Sequence, residues 1–248
     1  MSRPESEPFE ELPETARRSG LRVAFFGGSF DPPHGGHLAV ARAARDAFGL
    51  DRVLFAPVGA QPLKPEGPSA GFDDRVTMTR LAIEGEAGFE ISLADAPTGK
   101  PNYTLETLQA LRKQLGAGCE LYCLMGADSF FSLRRWYRAA DVPFAATLIV
   151  ASRPGERLKG LQAALPAGLA LESTAEKHDL RAGIEIQAMR IANERGDRVP
   201  FYVMPGLDVE ISASGIRAQV RADPVEMESA AVLPARVAEY IRGHGLYR

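Results

Sequence analysis

Long apolar runs, cysteines and strong net charge are all scarce in this 248-residue chain. No segment approaches the roughly 18 to 20 consecutive apolar residues that cross a bilayer, so the expectation is a soluble protein without membrane contact. The two cysteines, Cys119 and Cys123, stand four apart in the strand-like ELYCLMG. That setting suits neither a metal pair nor a structural disulfide and points to a reducing cytoplasm. A formal net charge of -3 argues against a protein that coats nucleic acid, although it leaves room for a local basic patch. Neither GxGxxG nor GxxxxGK[ST] occurs, which counts against a nicotinamide-dependent dehydrogenase and against a P-loop phosphohydrolase. Internal repeats are absent as well. The first twenty residues, MSRPESEPFEELPETARRSG, are polar and rich in proline and glutamate, with no apolar core of signal-peptide length. They read as a disordered tail, 1–20, ahead of a single domain spanning 21–248.

What remains is ordinary globular material, 45% hydrophobic and 25% charged, in a length that suits one large α/β domain. Strand-like segments recur: LRVAFF, DRVLFAPV (51–58), FEIS (89–92), ELYCLMG (120–126), AATLIVAS (145–152) and PFYVM (200–204). Helical periodicity falls between them. HLAVARAARDAFG sets Leu38, Ala41, Ala44 and Phe48 on one stripe before Gly49, and YTLETLQALRKQLG does the same with Leu105, Leu108 and Leu111. DDRVTMTRLAIEG is a third helix, and LPARVAEYIRGHGLYR a terminal one. Steady alternation of strand and helix predicts βαβ units, hence an α/β fold: a doubly wound, Rossmann-like parallel sheet with helices on both faces. Residues 155–199 resist such a reading; LKGLQAALPAGL and GIEIQAMRIANERGD fit helix or irregular structure equally well. That region and the terminal helix are each available as core or as a homo-oligomer interface.

The chemistry concentrates in GGSFDPPHGGH, residues 27–37, which leaves the first strand at its carboxyl end, where ligands bind in such sheets. Glycines admit close approach of a ligand to the backbone, and a helix starting near His37 offers free N–H groups to phosphate. His34 and His37, two of only four histidines, are three apart and project to one side, where imidazolium would donate to anionic oxygens. A lone Pro-Gly loop with capping histidines would look similar, but the conjunction favours a site. No third ligand accompanies the pair to support zinc. A second constellation, ISASGIR at 211–217, puts Ser212 and Ser214 at a helix start with Arg217 one turn on, a set of donors fit for a polyphosphate. Alone it is equally an ordinary capped helix. Neither motif supplies a nucleophile, so a reaction driven by positioning and charge stabilisation is implied.

GGSFDPPHGGH followed far downstream by ISASGIR resembles the HxGH nucleotidyltransferase superfamily, whose second signature usually reads ISSTxIR; here Ala213 and Ser214 occupy its S-T positions. NYTLETL (102–108), GADSFFSLRRW (126–136), RPG (153–155) and the ending VAEYIRGHGLY narrow the resemblance to the bacterial nicotinate-nucleotide adenylyltransferases, over essentially 21–248. The resemblance implies transfer of the adenylyl group of ATP to nicotinate mononucleotide, giving deamido-NAD and pyrophosphate, with Mg²⁺ carried mainly by ATP and pyrophosphate and no metal held by the protein alone. By resemblance, His34, His37 and Arg217 are catalytic. Gly28, Ser29, Phe30, Lys64, Ser212 and Ser214 join them in binding ATP. Ser29, Phe30, Thr104, Asp128, Trp136, Tyr137 and Arg153 bind the mononucleotide. Trp136, the only tryptophan, suits stacking on a cationic pyridinium, although a core role is the commoner fate of an indole. Thr104 could cap its helix, whose first N–H groups could also meet the nicotinate carboxylate. Arg75, in DDRVTM, is structural or phosphate-linked.

Competing readings are a pantetheine-phosphate adenylyltransferase or small-alcohol cytidylyltransferase of the same superfamily, and use of the nicotinamide mononucleotide. The first class lacks the GADSF…W segment. A catalytically silent nucleotide sensor is disfavoured because both histidines and Arg217 are present, and nucleic-acid binding through RRWYR by the acidic balance.

Overall fold

A computed structural model describes residues 20–63, 66–152, 160–173, 179–204, 212–222 and 232–248, without side-chain detail at 173 and 179–181. Six strands, β1 (Arg22–Gly28), β2 (Arg52–Pro57), β3 (Phe89–Ile91), β4 (Glu120–Gly126), β5 (Thr147–Ala151) and β9 (Arg198–Met204), form the parallel part of the sheet. β6 (Leu169–Ser173) and β8 (Ile184–Asn193) extend it antiparallel, and β7 (Asp179–Arg181) pairs with β8 off the main path. The order is β3-β2-β1-β4-β5-β9-β8-β6. Because the chain runs outward one way from β1 and the other way from β4, the crevice beyond their carboxyl ends is the switch point at which such sheets bind ligands.

Each of these parallel strands is apolar because both its faces are covered. Val23 and Phe25 of β1 join a cluster with Leu105, Leu108, Leu111 and Leu115 of α3 (Thr104–Leu115), all at most 2% exposed. Each such leucine contributes about 1.5–3 kcal/mol relative to exposure. Ala24 and Phe26 face the other way, onto Leu38, Ala41, Ala44 and Phe48 of α1 (Gly35–Phe48). The predicted stripe is therefore the buried one, and Gly49 ends α1 in the left-handed conformation at φ 58°. A third cluster joins Met78 of α2 (Phe72–Ile83) and Ile216 of α7 (Ala213–Ala222) to Val237 and Ile241 of α8 (Ala235–His244). Two short helices, α4 (Ala127–Ser132) and α5 (Val142–Ala145), link β4 to β5.

The ambiguous 155–199 region needs correction. GIEIQAMRIANERGD is no helix: its second to eleventh residues, Ile184–Asn193, form β8, paired on one edge with β9 and on the other with β6. The described residues of LKGLQAALPAGL form the single turn α6 (Leu161–Ala164) before β6 begins at Leu169. In β8, Ile186 is buried in the α1-side cluster and Ile191 in the α3-side cluster. Burying both faces erases the simple alternation that marks a half-buried strand. Residues 1–19, the bulk of the proposed tail, lie outside the described residues. Among the described residues no helix is long and apolar enough to cross a membrane.

Candidate active site

A cleft of about 990 Å³ opens at the switch point, floored by the ends of β1 and β4. Leaving β1, the chain passes Gly28 and bends at Phe30, whose φ of 47° is unusual for a residue with a side chain. The turn drops the Phe30 ring into the core, edge-on to Phe26 and 5.0 Å from the His37 ring. Gly28 permits this, since a Cβ there would stand 3.2 Å from the buried Phe30 ring. His34 is the N-cap of α1, which begins two residues earlier than the sequence suggests. The rings of His34 and His37 lie 3.8 Å apart on one side of the turn, lining the cleft as expected.

The backbone N–H of His34 donates to Nδ1 of His37 at 3.2 Å. Nδ1 is then an acceptor, so the neutral ring carries its proton on Nε2. Burial against the phenylalanines, with His34 beside it, holds the His37 pKa well below the ordinary 6.5. The unliganded site thus presents a neutral N–H donor, where the sequence suggested an imidazolium.

At the same end, Ser212 caps α7: its Oγ accepts the Gly215 N–H at 3.1 Å and lies 3.3 Å from the Ser214 hydroxyl. Arg217, one turn along, donates to the backbone carbonyl of Asp31 at 2.6 Å. All three line the cleft with Gly28, Ser29 and Phe30. The two signatures, separated by most of the chain, therefore meet.

Thr104, Asp128, Trp136 and Tyr137 line the same cleft. Trp136 is half-buried, its Nε1–H held by Ser132 Oγ at 3.0 Å, so both core packing and exposure apply. Tyr137 is exposed and its ring lies 4.5 Å from that of Tyr103. Thr104 is not a cap. Tyr103 holds that position and no side chain caps α3. Lys64 and Arg153 lie outside the described residues.

Sequence reasoning left Arg75 between a structural and a phosphate-linked role and did not single out Asp31, the other group that holds this cleft in shape. Asp31, 3% exposed, accepts the N–H groups of Ser69 and Ala70 at 2.6 and 3.0 Å and the Tyr247 hydroxyl at 2.7 Å. Arg75, 1% exposed, donates to the carbonyls of Ser29, Val58 and Ala70, tying together the loops after β1 and β2. It is structural and reaches no cleft surface. Tyr103, Arg135 and Asp95 also line the cleft without having been singled out. Among the described residues no group of three or more His, Cys, Asp or Glu side chains could hold a metal ion.

A sequence model described as cytidylyltransferase-like matches residues 25–219. The chain belongs to that family. Its relatives include proteins named "Probable nicotinate-nucleotide adenylyltransferase" from Gloeobacter violaceus and Stenotrophomonas maltophilia. The first is 38% identical over 92% of this chain and 97% of its own length, the second 39% identical over the same shares. The fold matches that of Plasmodium falciparum nicotinic acid mononucleotide adenylyltransferase complexed with NaAD. That likeness has a TM-score of 0.62 at 14% identity and covers 92% of this chain and 97% of that one.

Proposed function

We propose that this chain transfers the adenylyl group of ATP to nicotinate mononucleotide, releasing pyrophosphate and nicotinate adenine dinucleotide in NAD biosynthesis. The observation that carries the reading is the meeting of the His34–His37 pair with the Ser212–Arg217 helix start in one cleft that Trp136 and Tyr137 also line. Relatives named for this reaction share essentially the whole chain.

The mononucleotide phosphate oxygen attacks the α-phosphorus of ATP in line, and pyrophosphate leaves from the opposite side. No protein nucleophile is needed. His34 and the Nε2–H of His37 face the crowded α-phosphate, while Ser212, Ser214 and Arg217 hold the β and γ groups. Donors fixed before the reaction stabilise developing charge without reorganising, and loss of one commonly costs ~10²-fold or more. Arg217 exchanges its bond to the Asp31 carbonyl for phosphate oxygens, a charge-assisted pairing. Gly28, Ser29 and Phe30 run along the forming dinucleotide, and Asp128 lies on its mononucleotide or adenosine side. Trp136 and Tyr137 stack on the pyridinium, and the uncapped start of α3 at Thr104 presents N–H groups to its carboxylate. Lys64 and Arg153 are further ligands by resemblance.

With no carboxylate cluster among the described residues and Asp31 already engaged, a protein-held metal does not fit. The magnesium enters as part of the substrate, Mg·ATP. Residues 21–248 act as one nucleotidyltransferase domain. The buried free thiols of Cys119 and Cys123 suit a cytoplasmic setting.

Pyrophosphate release with Mg·ATP tests the reading, comparing nicotinate mononucleotide, nicotinamide mononucleotide and phosphopantetheine against His37→Ala. Strong release with the nicotinate compound, falling ~10²-fold or more in the variant, is the expected result. Binding of ATP without release from any acceptor would leave the sensor reading in its place.

A further inference from the structure

One buried acid in the cleft takes no part in the chemistry above. Asp95 follows β3, is 4% exposed and lines the cleft floor with Gly27 and Cys123. Its backbone carbonyl accepts the Gly59 N–H at 2.7 Å, and its Oδ1 accepts the hydroxyl of Thr107 from the first turns of α3. Oδ2 takes no hydrogen bond among the described residues. It stands 3.7 Å from where a Cβ on Gly27 would be, so no side chain at that position of β1 covers it, and Asp95 is one of the residues lining the cleft. Burial raises the carboxyl pKa to about 6, opposed by the Thr107 hydroxyl. Near neutral pH the group is therefore mostly ionised and has an acceptor without a donor.

The substrates restrict what can supply that donor. At neutral pH the carboxylate and the phosphate of nicotinate mononucleotide only accept hydrogen bonds. Its ribose hydroxyls are its sole donors. ATP carries ribose and amino donors too, but the reaction proposed above sets its phosphates with His37 and Ser212, whereas Asp95 is fastened to α3, whose first residue lines the cleft and is there assigned to the mononucleotide. An ionised carboxylate there also favours a cationic pyridinium over a neutral ring.

We propose that Oδ2 of Asp95 accepts a hydrogen bond from a ribose hydroxyl of nicotinate mononucleotide, fixing how far that nucleotide reaches toward the α-phosphate of ATP. The inference rests on the reaction proposed above. It adds a recognition element for the acceptor substrate at a position outside both signature motifs.

The test is steady-state kinetics with nicotinate mononucleotide and its 2′-deoxy and 3′-deoxy analogues, using the wild type, Asp95→Asn and Thr107→Val. In the wild type at least one analogue should show a KM about 10- to 100-fold higher, with KM for ATP unchanged. Asp95→Asn keeps the size of the side chain and an acceptor for Thr107. It should raise KM for the natural mononucleotide about tenfold or more and erase most of the penalty for the missing hydroxyl. Thr107→Val, a purely positioning change, should keep that penalty. A penalty as large in Asp95→Asn as in the wild type would overturn the contact, as would wild-type enzyme indifferent to both deoxy analogues, a result readable without any variant. Absence of turnover with nicotinate mononucleotide itself would instead overturn the reaction, and the contact with it.

Discussion

The phenolic hydroxyl of Tyr247 donates to the carboxylate of Asp31 at 2.7 Å across a separation of 216 residues. Asp31 stands in the turn between β1 and α1, and its backbone carbonyl accepts from Arg217. One residue thus joins the turn after β1, the loop at Ser69 and Ala70, the arginine of the second signature and the segment after α8. Burial together with the neighbouring carboxylate pushes the Tyr247 pKa far above its ordinary value, so the phenol remains a donor at every working pH.

Tyr247→Phe removes that donor and leaves the ring in place. Hydrogen bonds to charged groups are worth about 1.5–3 kcal/mol, and unfolding in urea should show a loss of that order. KM for ATP should rise severalfold while KM for the mononucleotide stays near its wild-type value, because the proposed function sets Asp31 and Arg217 at the triphosphate.

Arg75→Met strips donors from three carbonyls at once. Burial lowers the Arg75 pKa, partly offset by Asp31 and Tyr247, yet a guanidinium stays charged throughout the working range. The expected cost is on the order of 3–5 kcal/mol, with both substrates binding more weakly, since the loops after β1 and β2 lose their common tie. Arg75→Lys should recover only part of this, as an ammonium lacks the planar fork that reaches three carbonyls. Denaturant midpoints of the two variants decide the matter.

His37 sets an acid limit on stability. Its folded-state pKa lies well below 6.5, so the unfolded chain takes up a proton that the native protein refuses. Above about pH 6.5 this costs nothing; below it, stability declines with falling pH until the native His37 itself titrates. Comparing melting of the wild type and His37→Gln between pH 5 and 8 isolates the effect. The variant should show the shallower decline on the acid side.

Asp95 has the opposite sign. Its carboxyl is raised from 3.8 to about 6, so the native state favours the proton, and stability falls as pH rises between those values. The cost persists above pH 6 and is on the order of 3 kcal/mol. Asp95→Asn carries no charge and keeps the bond from Thr107. It should melt at a higher temperature than the wild type at pH 8 and at a similar one near pH 4, while binding the mononucleotide more weakly. A lower melting temperature at pH 8 would mean that the ionised carboxylate is stabilised within the fold rather than left without a donor.

Much of the architecture was legible along the chain, because the buried strands β1, β2, β4 and β5 are short apolar runs separated by helices with a clear apolar stripe, such as Leu105, Leu108 and Leu111. Legibility failed at β8, where Ile186 and Ile191 serve opposite faces of the sheet. Their identity as strand residues is decided by pairing with β9 and β6, a long-range interaction with no local signature. At the site, His34, His37, Ser212 and Arg217 were visible because glycines, prolines and a capped helix start mark them locally.

Asp31 and Asp95 carried no such mark, and Arg75 stood out without its role being decided. Single charged residues in a sequence look like solvated surface, and what sets these apart is burial beside partners as distant as Tyr247. Composition and local spacing determined by themselves the strand–helix rhythm and the two candidate phosphate-binding motifs, since both follow from interactions within a few residues. Only the tertiary structure decided that the motifs share one cleft, that His37 stands there as a neutral donor, and which charges are buried. Desolvation and long-range hydrogen bonds depend on what the fold brings together from remote parts of the chain.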